Sequence, residues 1–126
     1  MTDRELLELA AKANWHSEVE GGTVSFHYCD HEEAVVYIAG ENQDHNGSDV
    51  ELVWNPLSDD GEAFRLAVKL GILVSQQLSY VSVCQPHGNA SMRGIQFQES
   101  YGTDSIAATR RAIVRAAAEI AKAREA

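Results

Sequence analysis

The feature that most constrains the fold is a central stretch in which an extended segment, a proline turn and a helix follow one another directly. The extended segment has an apolar residue at every second position, Val50, Leu52 and Trp54, which predicts a strand with one buried face. Pro56 has no backbone N–H to donate to a β-ladder, so we expect this strand to end by Asn55.

The same stretch predicts a helix over about 59–70. Short side chains whose oxygens can accept from a first-turn amide stand at its start, namely Ser58, Asp59 and Asp60. Residues spaced i, i+3, i+4 and i+7 then form one apolar stripe, consisting of Ala63, Leu66, Ala67 and Leu70. Gly71 is expected just beyond the helix end, and an apolar run typical of a strand resumes at Ile72.

Two further helices are predicted at the ends of the chain. Thr2-x-x-Glu5 is a capping-box pattern, which indicates a helix over about 2–14. An alanine-rich helix is expected over about 104–124, capped by Thr103 or Asp104. Its predicted buried face consists of Ile106, Thr109, Ile113, Ala116, Ala117 and Ile120. Trp15, which follows the first helix, is interpreted as a packing residue.

Alternating or apolar runs predict strands over 23–29, 34–39, 50–54, 72–74, 78–84 and 92–97. The chain of 126 residues is the length of one domain, covering 1–126. The element order is α-β-β-β-α-β-β-β-α, which predicts an α+β fold with an antiparallel or mixed sheet covered by helices. Nothing in this order requires a parallel, doubly wound sheet.

Three stretches resemble the phage "ABA sandwich" domain family. Residues 54–72, Trp-Asn-Pro-Leu-Ser-Asp-Asp-Gly-Glu-Ala-Phe-Arg-Leu-Ala-Val-Lys-Leu-Gly-Ile, are similar to its core signature. Residues 2–13, Thr-Asp-Arg-Glu-Leu-Leu-Glu-Leu-Ala-Ala-Lys-Ala, resemble its N-terminal helix. Residues 107–120, Ala-Ala-Thr-Arg-Arg-Ala-Ile-Val-Arg-Ala-Ala-Ala-Glu-Ile, resemble its C-terminal helix. The resemblance implies an α-β-α sandwich and a phage or prophage source, but the family has no assigned activity.

Charge is distributed unevenly in this chain, whose net charge is −9. Residues 14–64 contain twelve carboxylates and no lysine or arginine, whereas residues 65–126 contain eight basic and four acidic side chains. The two parts could neutralise each other within one fold or between subunits, and the second possibility favours a homo-oligomer. Overall acidity makes nucleic-acid binding an unfavourable hypothesis, because phosphates would be repelled.

The chain contains no signal of export or membrane insertion. No apolar run approaches the roughly 20 residues that span a bilayer, and the N-terminal segment is charged and helical in pattern. We therefore expect a cytoplasmic protein, in the host bacterial cell if the phage resemblance holds. Cys29 and Cys84 are expected to be reduced thiols there.

His27, Cys29 and His31 alternate and would share one face of a strand, as metal ligands do. Further ligands could come from His45, Cys84 and His87. However, no second spaced pair follows, and Asp30 is expected to begin a turn, so we predict no metal and no cofactor. The sequence Tyr-Cys-Asp at 28–30 resembles the Tyr-Cys-Asn stretch of the lambdoid phage NinX family, which implies no metal either.

No catalytic constellation is evident. Asp59, Asp60 and Glu62 could form a general acid/base pair, but acids also cluster at helix N-termini for structural reasons. Ser58 has no histidine at a useful spacing. No phosphate-binding loop or dinucleotide fingerprint is present. We predict that the chain is not an enzyme; an enzyme would require His27 or His87 beside a carboxylate.

Four residues are candidates for ligand binding: Asn89, Arg93, Arg111 and Arg115. Arg111 and Arg115 lie one helical turn apart and could grip an anion, although Arg115 could instead pair with Glu119. Arg110 and Arg111 stand near the positive end of a helix, which suggests an acidic partner, either the 14–64 part of a chain or a ligand phosphate. With His87 and Gln96, Asn89 and Arg93 could bind a phosphate and a base edge, or form a solvated loop.

These observations lead to a hypothesis of a non-enzymatic phage or prophage accessory protein. In one version it binds a small nucleotide signal to counter host defence, by fold analogy with phage proteins that sequester such signals. The alternative is a protein–protein interaction factor in phage replication or assembly, which acts through its acidic surface.

Overall fold

The computed structural model describes residues 1–39, 50–85 and 95–125, in which the chain forms an α+β fold, as predicted. The described elements, in chain order, are α1 (Asp3–Asn14), α2 (His16–Glu20), β1 (Val24–Cys29), β2 (Ala34–Ala39), β3 (Leu52–Trp54), α3 (Asp60–Leu70), β4 (Leu73–Gln76), β5 (Tyr80–Gln85), β6 (Ile95–Ser100) and α4 (Ser105–Glu125).

The predicted antiparallel pairing is confirmed, but the six strands form two three-stranded sheets, β1-β2-β3 and β4-β5-β6, where a single sheet was expected. The chain leaves the first sheet at Pro56, whose turn is held by the Asn55 side chain, since its Oδ1 accepts the Leu57 N–H at 3.0 Å. α3 then carries the chain to the second sheet. Strand pairing is non-local, and the alternation of apolar residues carries no information about which strands share a sheet.

Local capping explains where three of the helices begin and end. Side-chain oxygens of Thr2, Asp59 and Asp104 accept hydrogen bonds from the backbone N–H three residues further on, at 3.1, 2.8 and 3.0 Å. Gly71 has φ 68°, a left-handed conformation in which glycine carries no Cβ penalty, and it ends α3. These caps confirm the predicted boundaries to within one or two residues.

Some element boundaries differ from those expected. α2 was not predicted; it follows α1 with Trp15 between the two helices, and it ends before Gly21. The last strand continues to Ser100, beyond the predicted end at 97, and its alternate residues Phe97 and Glu99 face Arg115 of α4; residues 92–94 of the prediction lie outside the described residues. The hairpin before it turns at 77–79, so β4 extends through Gln76 and β5 begins at Tyr80.

α4 is the central element of the fold. It packs against α1, α3, β5 and β6, and it runs parallel to α1, since ion pairs join Asp3 to Arg111 at 2.9 Å and Lys12 to Glu125 at 3.2 Å. Residues buried along it include Ala112, Ile113, Val114, Ala116, Ala117, Ala118, Ile120 and Ala121. No helix among the described residues is both long and apolar enough to cross a membrane.

The predicted buried face of the last helix is correct in its middle and wrong at its start. Ile113, Ala116, Ala117 and Ile120 are buried, whereas Ile106 is 58% exposed. Ile106 lies in the first turn of α4, where the helix borders a surface groove between α3 and β4.

Candidate functional site

The predicted anion-binding arginines lie side by side on α4, but both already bind carboxylates of the same chain. Arg111 donates to Asp3 of α1 at 2.9 Å, and Arg115 donates to Glu99 of β6. The Arg115 guanidinium also lies 5.0 Å from the centre of the Phe97 ring. The two arginines line a cavity of about 350 Å³ together with Phe97 and Glu99. An incoming anion would have to displace or outcompete the carboxylates.

Arg110 was expected to need an acidic partner because it lies near the positive end of the last helix, and it binds one in the same chain. Arg110 donates through Nε to the Leu57 carbonyl at 2.7 Å and through Nη1 to Asp60 at 2.6 Å. Asp60 belongs to the acidic 14–64 part, so for Arg110 the acidic partner is this part of the same chain. The other predicted pairing, Arg115 with Glu119, is not formed; Glu119 accepts from Lys122 at 3.1 Å instead.

The other predicted ligand-binding residues, Asn89 and Arg93, lie outside the described residues, as do His45 and His87. Ligand binding by Asn89 and Arg93 therefore stays a prediction.

His27 and Cys29 share a face of β1, and His31 lies in the turn that follows. Among the residues that the structure describes, no three histidine, cysteine or carboxylate side chains come together in a group that could hold a metal ion. Cys29 and Cys84 are both half-buried free thiols, and they lie on different sheets.

The three clustered acids at the start of α3 each have a structural role. Asp59 caps the helix, Asp60 binds Arg110, and Glu62 accepts the backbone N–H of Asn55 at 3.0 Å. Burial raises the pKa of Glu62 above its ordinary value of 4.5, and the Asp59 carboxylate acts in the same direction. The Asn55 hydrogen bond and the Arg65 charge oppose this rise in the pKa.

Replacing Glu62 with glutamine is expected to remove part of the pH dependence of stability. Because the folded-state pKa is raised, the folded chain binds more protons than the unfolded chain between the ordinary and the raised value, so stability falls as pH rises through that window. Glutamine stays neutral and still offers an oxygen to the Asn55 N–H. The free energy of unfolding, measured by urea denaturation across that window and up to neutral pH, should vary less with pH in Glu62→Gln than in the natural chain. The exposed Glu51→Gln variant is the matched control, and an unchanged profile in Glu62→Gln would contradict the assignment.

The most distinctive surface is a groove between α3, β4 and the first half of α4, which we call the α3–β4–α4 groove. It has a volume of about 550 Å³. Its floor includes the small residues Ala63 and Ala67 of α3, together with Ile72. Its walls include large apolar side chains that project into solvent: Phe64, Val68, Val74 and Ile106.

The exposure of these walls is high for apolar side chains. Phe64 is 68% exposed, Val68 65% and Val74 39%. Together with Ile106, they form one group of exposed apolar side chains around the groove. Exposed apolar side chains that are grouped in this way mark interaction sites, whereas singly scattered ones are ordinary, so this groove is the candidate functional site.

The sequence already indicated this surface through two apolar residues of α3 that lie outside its predicted apolar stripe. Phe64 and Val68 are spaced i, i+4 on the face of α3 opposite the buried stripe, where polar residues would be expected on a solvated helix. Two large apolar residues at that spacing on the outer face indicate a second contact surface.

β4 borders the groove with an unpaired strand edge. It pairs with β5 on one side, and no described strand pairs with its other side, which we call the open edge of β4. All four residues of β4 are exposed. An exposed apolar edge strand offers backbone donors and acceptors to another strand, and proteins usually cover or charge such an edge.

The two charged side chains on the rim of the groove neutralise each other. Asp60 and Arg110 both line it, and they bind each other at 2.6 Å. The polar residues beside them, Ser105 and Thr109, are uncharged. The groove therefore suits an apolar segment with little charge.

A larger cleft of about 900 Å³ lies beside β1, which is also an edge strand, between α2 and the end of α4. Its rim carries charged side chains, including Lys12, Glu20, Arg124 and Glu125, and Lys12 and Glu125 bind each other at 3.2 Å. Charged residues protect an edge strand against pairing, and this distinguishes β1 from the apolar edge of β4.

No family model matches the chain, and no curated protein or solved structure matches it either. The resemblance to the phage ABA sandwich and NinX families stays a prediction. Inferences about function therefore rest on the residues and geometry of the chain itself.

Proposed function

We propose that the chain is a non-enzymatic protein that acts by protein–protein contact through the α3–β4–α4 groove. The observation that carries this proposal is the exposed apolar wall of the groove, built around Phe64, Val68 and Ile106. Leaving such surface in water is unfavourable by roughly 25 cal/mol per Å², which a bound partner recovers in part. The partner that fits is an extended apolar segment with little charge, which can also pair with the open edge of β4.

The proposed role as a phage or prophage accessory protein rests on the sequence resemblance alone. Within that role, protein contact has more support than nucleotide binding. The guanidinium groups of Arg111 and Arg115, which would hold a phosphate, are engaged by Asp3 and Glu99. The proposed contact surface is therefore the apolar groove, and not the acidic surface that was the alternative from the sequence.

A glutamate in the groove is expected to abolish partner capture. The Val68→Glu variant places a carboxylate that would have to be desolvated on binding, so affinity for the partner should fall at least about tenfold. The measurement is capture from host-cell extract by tagged full chain, with the partner identified by mass spectrometry and its binding then quantified with purified components.

The matched control is Val19→Glu, because it makes the same change at an exposed position of α2 that does not line the groove. It should capture the same identified protein as the natural chain. The double variant Glu32→Lys, Glu33→Lys tests the acidic surface in the same assay. If this double variant loses the partner while Val68→Glu retains it, the acidic surface is the contact site and the groove proposal is wrong.

A further inference from the structure

We propose that the occupant of the α3–β4–α4 groove is a second copy of this chain, joined through the open edge of β4 in an antiparallel, two-fold symmetric dimer. The inference rests on the proposed function, because it names the partner of the same groove. Three observations support it: the register of β4, the exposed apolar side chains beside that strand, and the charge around them.

The register of the β4–β5 hairpin determines which backbone groups face the open edge. Gln77 donates its N–H to the Tyr80 carbonyl at 2.9 Å across the turn. In an antiparallel pair, hydrogen-bonded and non-hydrogen-bonded residue pairs alternate. Gln76 and Val74, paired with Val81 and Val83, therefore direct their N–H and C=O groups away from β5.

Those two residues are placed symmetrically about Ser75. A two-fold axis through Ser75 sets Val74 of each copy opposite Gln76 of the other. Each of these residues then donates its N–H to the carbonyl of the residue opposite and accepts a hydrogen bond in return. This gives about four backbone hydrogen bonds between the copies. The two sheets become one continuous sheet of six strands, and neither copy retains the open edge.

The dimer also covers the apolar walls of the groove. Val74 and Gln76 have their side chains on the face of the sheet that α4 covers, since Gln76 Nε2 donates to Thr109 at 3.0 Å. The outer faces of the two α3 helices lie under the new junction and meet through Phe64 and Val68. The apolar walls, the open edge of β4 and the uncharged part of the rim therefore form one continuous surface that each copy buries in this dimer.

The charge distribution favours self-association at this surface over other surfaces. Each copy carries a net charge of −9, so two copies repel wherever their acidic surfaces face each other. The groove carries the internal pair Asp60–Arg110 and is otherwise apolar or uncharged, so the interface brings no unpaired like charges together. The acidic first sheet lies on the other side of α3 from the groove and stays in solvent.

Two variants test the dimer on the full chain at micromolar concentration, with mass measured by native mass spectrometry and light scattering. The natural chain should have twice the 13.8 kDa mass of one copy. Val68→Glu should raise the dimer dissociation constant at least about tenfold, because it puts two carboxylates at the axis. Val74→Pro should do the same, because it removes an N–H from the open edge while leaving the β5 ladder intact. Val19→Glu, which makes the same change at an exposed position of α2 outside the groove, should remain dimeric.

A natural chain that is monomeric, or variants that dimerise as well as the natural chain while circular dichroism shows them folded, would overturn the proposal. Should Val74→Pro fail to fold, Val68→Glu still decides the question, because Val68 lies on the solvent face of α3. A monomer that nevertheless captures an identified protein through the groove would refute the second copy as occupant and leave the proposed function standing. A dimer with no other groove-dependent partner would support the second copy and limit the proposed function to self-assembly.

Discussion

Replacing Trp15 with alanine is expected to lower the free energy of unfolding by about 3–5 kcal/mol. The side chain is 7% exposed, and its ring centre lies 4.6 Å from that of Tyr37, 5.0 Å from Trp54 and 5.6 Å from Phe26. These three rings belong to three different strands of the first sheet. Trp15 therefore joins the end of α1 to all strands of that sheet, and its removal leaves a cavity that the rigid aromatic neighbours cannot fill.

Urea unfolding followed by circular dichroism measures this loss, because the signal does not depend on tryptophan fluorescence. Trp15→Phe keeps an aromatic ring against Tyr37 and Trp54 and should lose less than half as much stability as the alanine variant. Val19→Ala, at an exposed position of α2, is the control and should stay within about 0.5 kcal/mol of the natural chain. A loss for Trp15→Ala as small as that of the control would show that the aromatic cluster does not hold the sheet.

Much of the fold was predictable because it is encoded by local signals. The caps at Thr2 and Asp59 act over three residues, and Gly71 ends α3 through its own backbone conformation. The division into two sheets was not predictable in the same way. It depends on which strands pair, and the pairing is decided by packing against helices that are distant in sequence.

In the candidate sites, too, the features encoded by neighbouring residues were predictable, whereas those that depend on residues distant in sequence were not. The sequence placed Arg111 and Arg115 on one face of a helix, which is a local property. Their partners are not local, since Asp3 is 108 residues away from Arg111 and Glu99 is 16 residues from Arg115. Phe64 and Val68 were visible as an apolar pair on the outer face of α3, but only the open edge of β4 beside them makes that face a candidate interface.

The central element of the fold, α4, could not be identified from its position at the end of the sequence. The join at Pro56 organises the sequence, yet α4, the last element, contacts both helical neighbours and the second sheet. Its buried residues are mostly alanines because α1, α3 and two strands approach it from several sides, and larger side chains would hold them apart. Three successive residues, Ala116 to Ala118, are almost completely buried, which requires neighbours around most of the helix.

Enlarging one of these alanines is expected to be nearly as damaging as removing Trp15. Ala117→Leu adds three carbon atoms at a position with no solvent exposure, so α4 must move away from its neighbours or the new side chain must adopt a strained rotamer. We expect a loss of about 3 kcal/mol in the free energy of unfolding, measured by urea denaturation. Ala123→Leu is the matched control, because it makes the same change on an exposed part of the same helix, where leucine and alanine have similar helix propensity. If both variants unfold at the same urea concentration, α4 is not enclosed as described. If only Ala117→Leu is destabilised, the close approach of helices and sheet around α4 is what requires alanine at this position.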